Sequence, residues 1–261
     1  MNRNFKMVLQ YEGTRYNGWQ KQGNTSDTIQ GKLEQILERM AGEPVEVQGS
    51  GRTDAGVHAA GQTANFRLSE EFFRSRGLFG QEEAYLKSYL NRYLPDDIGV
   101  LSVEEVPERF HSRLSAERKT YRYQIETGEK QDVFQRRLSY HLGRSLDTEV
   151  MRLAAERLCG THDFRSFCGN RKMKKSTVRT LYSVDICQKP GSSLVTLSFT
   201  GNGFLQNMVR ILTGTLIEIG LGERDWRTVD DILRAKDRQA AGFTAPAEGL
   251  CLVQVIYEEM K

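Results

Sequence analysis

The chain has 261 residues, 38% of them hydrophobic and 27% charged, with 24 Gly and only 5 Pro. That composition excludes a disordered or collagen-like chain, and the length allows one large domain or two small ones without a disulfide or metal staple. The 37 Lys and Arg nearly balance 34 Asp and Glu, for a net charge of +3, so a nucleic-acid surface has to show in where the cations sit.

No apolar run approaches the ~20 residues of a membrane span, and no secretory h-region follows the first residues. Four Cys without paired CxxC motifs read as reduced thiols, so a cytoplasmic protein is expected. Residues 5–11 form an apolar, β-rich run before Gly13 and predict a strand. A polar stretch over 12–25 leads to a helix that Asp27 is placed to cap, with Gln30 as capping-box partner. Its apolar face is Ile29, Leu33, Ile36, Leu37 and Met40, and Gly42 ends it. A short strand over 45–47, a Gly-rich polar loop over 48–60 and an alternating strand over 62–68 follow. A helix over 82–93 runs into the turn Leu94-Pro95-Asp96-Asp97, and 98–106 reads as a strand.

Residues 119–125 and 137–142 read as strands and 147–159 as an amphipathic helix. A hairpin is expected from 178–187 and 194–199 across Lys189-Pro190-Gly191. A long apolar helix over 204–220, a helix over 229–235 and a strand over 250–257 complete the pattern. The order of strands and helices in the first half recurs loosely in the second. This predicts an α+β fold in which two similar halves, 1–108 and 109–261, share a central, mostly antiparallel sheet with a basic cleft between them.

The densest chemistry lies in Gly49-Ser50-Gly51-Arg52-Thr53-Asp54-Ala55-Gly56-Val57-His58. No Gly-Lys-Ser/Thr closes it as a phosphate loop, and Asp54 stands where a dinucleotide fingerprint needs its third Gly. A solvated turn would account for the composition, but not for an acid set between Arg52 and His58 in a glycine frame. A nearby cation keeps Asp54 ionised at neutral pH, which suits a nucleophile or base. His58 is expected to support the loop. Cys159 and His162, with Cys168 nearby, have partial metal-ligand spacing but no fourth ligand, so no metal is expected.

Gly51-Arg52-Thr53-Asp54-Ala55-Gly56-Val57-His58-Ala59 resembles the catalytic motif of the tRNA pseudouridine synthase A family. The resemblance continues at Tyr11-Glu12-Gly13-Thr14-Arg15-Tyr16-Asn17-Gly18-Trp19-Gln20, at Phe110-His111-Ser112-Arg113-Leu114 and at Lys119-Thr120-Tyr121-Arg122-Tyr123. It extends through Gly201-Asn202-Gly203-Phe204-Leu205-Gln206-Asn207-Met208-Val209-Arg210, Gly214-Thr215-Leu216 and Gly220-Leu221-Gly222, and so covers nearly the whole chain in order.

The resemblance implies a cofactor-free isomerase that converts uridine to its C-glycoside isomer at positions 38–40 of the tRNA anticodon stem-loop. It implies a homodimer, with one tRNA spanning both subunits. By the same resemblance Asp54 is the nucleophile, Arg52 enters the RNA and supports base flipping, Tyr121 stacks on the uracil, and Arg210 pairs with the nucleophile. RNA contacts are implied at Phe110, His111, Ser112, Arg113 and Leu114, and at a basic loop of Asn170, Arg171, Lys172, Met173 and Lys174.

The chemistry is intelligible on its own terms. The base must leave the stack to be reached, and stacking on an aromatic ring contributes about 1–3 kcal/mol toward that. Basic loops touch mainly phosphates. A carboxylate can attack the ribose anomeric carbon or uracil carbon 6, and both routes stay open. Two other readings compete. One is a non-catalytic RNA-binding protein; the other is a hydrolase that cleaves the uracil–ribose bond without rejoining it, although paired carboxylates are absent from the loop.

Overall fold

The computed structural model describes residues 2–23, 25–170 and 172–258. The fold is α+β, and the chain forms two compact units. One holds the residues up to Glu117 together with those from Leu252 onward, and the other holds Arg118–Cys251.

In the first unit, β1 (Asn2–Tyr11) pairs antiparallel with β3 (His58–Ser69) on one side and β4 (Ile98–Val106) on the other. The two-residue β2 (Gln48–Gly49) pairs with β3, and β10 (Leu250–Tyr257) lies beside β3 on its far side. Alternation along β1 buries Phe5, Met7, Leu9 and Tyr11. Phe5 stacks with Phe66 at 6.0 Å and meets Phe73 at 5.3 Å.

The helix α1 (Ile29–Ala41) buries the face read from its spacing and ends at Gly42, whose φ of 81° is the left-handed cap that glycine allows. Its cap differs from expectation. Thr28 Oγ1, not Asp27, accepts the Gly31 N–H at 3.2 Å, and Asp27 instead pairs with Lys32. Gln30 is not a capping-box partner either: it donates to the Val47 carbonyl at 3.1 Å and accepts the Lys21 N–H at 2.9 Å.

That contact also explains why the strand expected over 45–47 is absent. The Val47 N–H donates to Glu34 at 3.2 Å, so side chains of α1 satisfy backbone groups that a strand would have given to a neighbour. A short α2 (Glu70–Arg74), capped by Ser69, went unread in the sequence, while α3 (Glu82–Tyr93) stands where its pattern put it.

In the second unit, β5 (Ala116–Glu126) pairs with β9 (Leu194–Gly201), β9 with β8 (Val178–Gln188), and β8 with β7 (Gly160–Asp163), all antiparallel. The expected strand over 137–142 shrinks to β6 (Tyr140–His141), because 133–138 form turns closed by bonds such as Leu138 N–H to the Gln135 carbonyl at 2.8 Å. The helix α4 (Thr148–Leu158) is capped by Asp147, and α6 (Val229–Ala235) follows a 3₁₀ turn.

The apolar helix is α5 (Met208–Gly220), four residues shorter at its start than the sequence suggested. Eleven of its residues are buried, which accounts for its composition. It is also closely approached: a Cβ on Gly214 would lie 2.0 Å from the Phe243 carbonyl oxygen.

Gly214→Ala tests that approach. Helix propensity favours Ala by about 1 kcal/mol, while forced overpacking costs about 1–3 kcal/mol. A backbone overlap this deep belongs at the upper end of that range, so a net loss is expected. A raised melting temperature would refute it.

Candidate active site

Loop 50–57 leaves β2 and returns as β3, and its form is set by bonds to residues distant in sequence. The Ser50 N–H donates to the Thr63 carbonyl at 2.7 Å, and Ser50 Oγ donates to Gln62 Oε1 at 2.6 Å. Gln62 Nε2 donates to the Gly51 carbonyl at 3.0 Å and lies 3.4 Å from the Tyr11 hydroxyl, which bonds Thr53 Oγ1 at 2.9 Å. Ser50 and Gln62 are fully buried. A buried amide with its partners in place is rigid, because each unmade bond would cost the full desolvation of its group.

The opening segment 12–20 lies under the loop. The Thr53 carbonyl accepts the Trp19 N–H at 3.0 Å, and the Gly56 N–H donates to the Tyr16 carbonyl at 3.3 Å. Gly18, with φ 89°, turns the chain so tightly that a Cβ there would sit 2.7 Å from the Thr53 oxygen. Asp54 closes the turn, its carbonyl accepting the Val57 N–H at 3.1 Å. The backbone on both sides of Asp54 is therefore fixed, and its half-buried side chain stands on a rigid support.

His58 is buried and accepts the Gly13 N–H on Nδ1 at 2.9 Å, 3.6 Å from Glu12. It buttresses the junction of loop and opening segment. Arg52 is exposed and donates from Nε to Gln20 Oε1 at 2.9 Å. Tyr16 donates to Asp97 at 2.5 Å, and burial together with that bond pushes its phenol well above the usual tyrosine range.

The family model described as tRNA pseudouridine synthase matches residues 7–114 and 154–258. The chain belongs to this family. It is 47% identical over 249 residues to a tRNA pseudouridine synthase A of Bacillus sp. (strain KSM-64), covering 95% of this chain and 97% of the relative. It is 43% identical over 252 residues to a tRNA pseudouridine synthase A 2 of Bacillus cereus (strain ZK / E33L), covering 97% and 98%. Among solved structures, a chain in a Cbf5-Nop10-Gar1 complex aligns with 97% of this chain and 50% of its own, at 10% identity and a TM-score of 0.41.

Segment 110–114 of this family member divides in two. Phe110 is buried against Tyr257 at 5.1 Å, and its carbonyl accepts Asn4 Nδ2 at 3.0 Å. Ser112 is fully buried: its N–H donates to Asn65, its hydroxyl to the Gln48 carbonyl, and its own carbonyl accepts the Tyr257 hydroxyl at 2.7 Å. These two anchor the segment, His111 is half-buried, and Arg113 and Leu114 face solvent.

In the second unit, Tyr121 lies on β5 with only 7% exposure, edge-on to Phe204 at 5.0 Å. Arg210 stands in the first turn of α5, its Nε donating to the Ala245 carbonyl at 2.7 Å and its Nη1 to Asn207 Oδ1 at 3.2 Å. In the basic loop Asn170, Lys172 and Lys174 are exposed and Met173 is half-buried, while Arg171 lies outside the described residues. The loop's start is fixed by the Gly169 N–H to the Gln206 carbonyl at 2.8 Å, which brings it beside the residues that hold Arg210. Among the described residues no group of three or more His, Cys, Asp or Glu is placed to hold a metal.

Gln62, Tyr11, Thr53 and Asn207 were not read as functional from the sequence. In the alternating run over 62–68, which also holds Thr63, Asn65 and Arg67, nothing local singled out Gln62. Gln62→Leu keeps the bulk but leaves Ser50, Tyr11 and the Gly51 carbonyl without their amide partner, at a cost of about 1–3 kcal/mol. A lower melting temperature and slower single-turnover rate are expected at nearly unchanged tRNA affinity. An unchanged rate would show that the loop holds its form without this amide.

Proposed function

We propose that the protein isomerises uridine in tRNA to pseudouridine, with Asp54 as nucleophile. Loop 50–57 carries the reading: it sets one carboxylate on a backbone pinned by Trp19 and Val57, within a chain 42–47% identical to several tRNA pseudouridine synthases A along nearly its whole length. In the reaction the bond from uracil N1 to the ribose anomeric carbon breaks and the base turns. Carbon 5 then bonds the anomeric carbon, the carbon 5 hydrogen leaves as a proton, and N1 takes up a proton. Nothing is oxidised or reduced.

The finer assignments rest on the family resemblance. Arg52 enters the RNA as the base flips, and its exposed position on the loop suits that role. Tyr121 stacks on the uracil, and Arg210 pairs with the nucleophile and keeps it ionised. Arg113 and the basic loop contact phosphates, while Phe110 and Ser112 serve by anchoring the segment that carries Arg113. The substrates are uridines 38–40 of the anticodon arm, and the enzyme works in the cytoplasm as a homodimer.

Tritium release from tRNA labelled at carbon 5 of uridine tests the proposal. Release by the wild type and none by Asp54→Asn is expected, with the variant's tRNA affinity within about tenfold because phosphate contacts dominate binding. Tight binding without release by wild type would favour a binding protein, and free labelled uracil a hydrolase. For the loop, Lys172→Ala with Lys174→Ala is expected to flatten the salt dependence of tRNA binding by up to about 1.4 in log–log slope, at about 0.7 for each phosphate no longer neutralised. An unchanged slope would place both lysines off the RNA.

A further inference from the structure

Asn207 is the N-cap residue of α5, yet its side chain makes no capping bond. Asn is among the residues that cap most readily, so the departure calls for a cause. Its backbone lies in the left-handed region, with φ 58° and ψ 7°. Only one other non-glycine among the described residues, Lys236, shares a positive φ. Such a conformation costs about 1–3 kcal/mol in a bulky residue and less in Asn, and it persists where the surroundings hold it.

What holds Asn207 is visible on both sides of its amide. Oδ1 accepts Arg210 Nη1 at 3.2 Å, while Nε of the same guanidinium donates to the Ala245 carbonyl at 2.7 Å. The Ala245 N–H in turn donates to the Arg210 carbonyl at 3.1 Å, so this acceptor is itself fixed. Two acceptors on different edges define the plane of the guanidinium. On its far side the amide packs against Gly169, at which a Cβ would lie 2.7 Å from Nδ2. Gly169 opens the basic loop.

We infer that Asn207 is a positioning residue for the isomerisation, aiming the Arg210 guanidinium while the root of the basic loop holds Asn207 in place. The inference rests on the reading that Arg210 acts with the nucleophile. A capping bond to the helix N–H groups and a bond to Arg210 are alternatives for one side-chain oxygen, and the left-handed backbone selects the second.

Asn207→Gly separates aim from backbone, since Gly adopts a positive φ without steric cost. The single-turnover rate on unmodified tRNA is expected to fall about tenfold to a hundredfold, the scale of a small misplacement of a reacting group. The melting temperature and tRNA Kd are expected to hold. Asn207→Asp keeps an oxygen acceptor and tolerates the same backbone, so it is expected to recover most of the rate. In an Arg210→Ala background Asn207→Gly is expected to add no further loss.

A wild-type rate for Asn207→Gly overturns the inference. So does a loss that comes with a lower melting temperature or weaker tRNA binding, or one that adds in full to Arg210→Ala. If Arg210→Ala itself turns over at the wild-type rate, the reading of Arg210 fails and the inference falls with it. If Arg210→Ala is slow and Asn207→Gly is not, only the inference fails.

Discussion

The hydrogen bond from the Trp19 N–H to the Thr53 carbonyl joins the opening segment to the loop that carries Asp54, and much of the first unit is arranged to make it. The two backbones approach closely only because Gly13 and Gly18 lack a Cβ: one at Gly13 would sit 2.0 Å from the Val57 oxygen, nearer than any real contact. The opening segment is itself fixed to the Asp97 turn that follows α3. Arg15 pairs with Asp97, Tyr16 donates to it, and the Glu12 N–H reaches the Asp97 carbonyl at 2.9 Å. A single rigid path thus runs from the Asp97 turn through segment 12–19 to the backbone of Asp54. For the nucleophile role proposed for Asp54 such preorganisation matters, because alignment established in folding is not lost again at each turnover.

The second unit uses a different device for the same end. Arg210, the cation proposed to pair with the nucleophile, stands in the first turn of a largely buried helix, so the helix cannot shift without disturbing the core. Gly214 and Gly220 let Phe243 and Met151 close on that helix, and the segment carrying Ala245 returns to clasp Arg210 through two reciprocal hydrogen bonds. Rigid packing fixes the backbone of α5, while Asn207 and Ala245 fix the plane of the side chain.

The segments proposed to face RNA are built economically on the same principle. In 110–114 the alternate residues Phe110 and Ser112 are buried and bonded, which leaves Arg113 and Leu114 outward. In the basic loop Gly169 is tied down while Lys172, Lys174 and Lys175 beyond it are exposed. Phosphate binding needs positive charge at a roughly correct place and tolerates mobile side chains, so only the base of each segment has to be ordered.

Much of this was legible in the sequence. The apolar spacing of α1, its Gly42 stop, the strand at 98–106 and the density of chemistry around Asp54 are local signals, and local signals survive in a one-dimensional reading. The cap of α1 was misread by one residue, because Asp27 and Thr28 are both good caps and only Thr28 is aimed at the Gly31 N–H. Tertiary structure decided the rest. Val47 gives its carbonyl to Gln30, 17 residues away, and Arg210 gives its Nε to Ala245, 35 residues away. Gln62 completes a buried network with Tyr11, 51 residues away. Composition and periodicity determine which residues are apolar and where the chain turns. The partner of a buried polar group is chosen by which backbone arrives beside it in the folded chain, and no spacing rule encodes that.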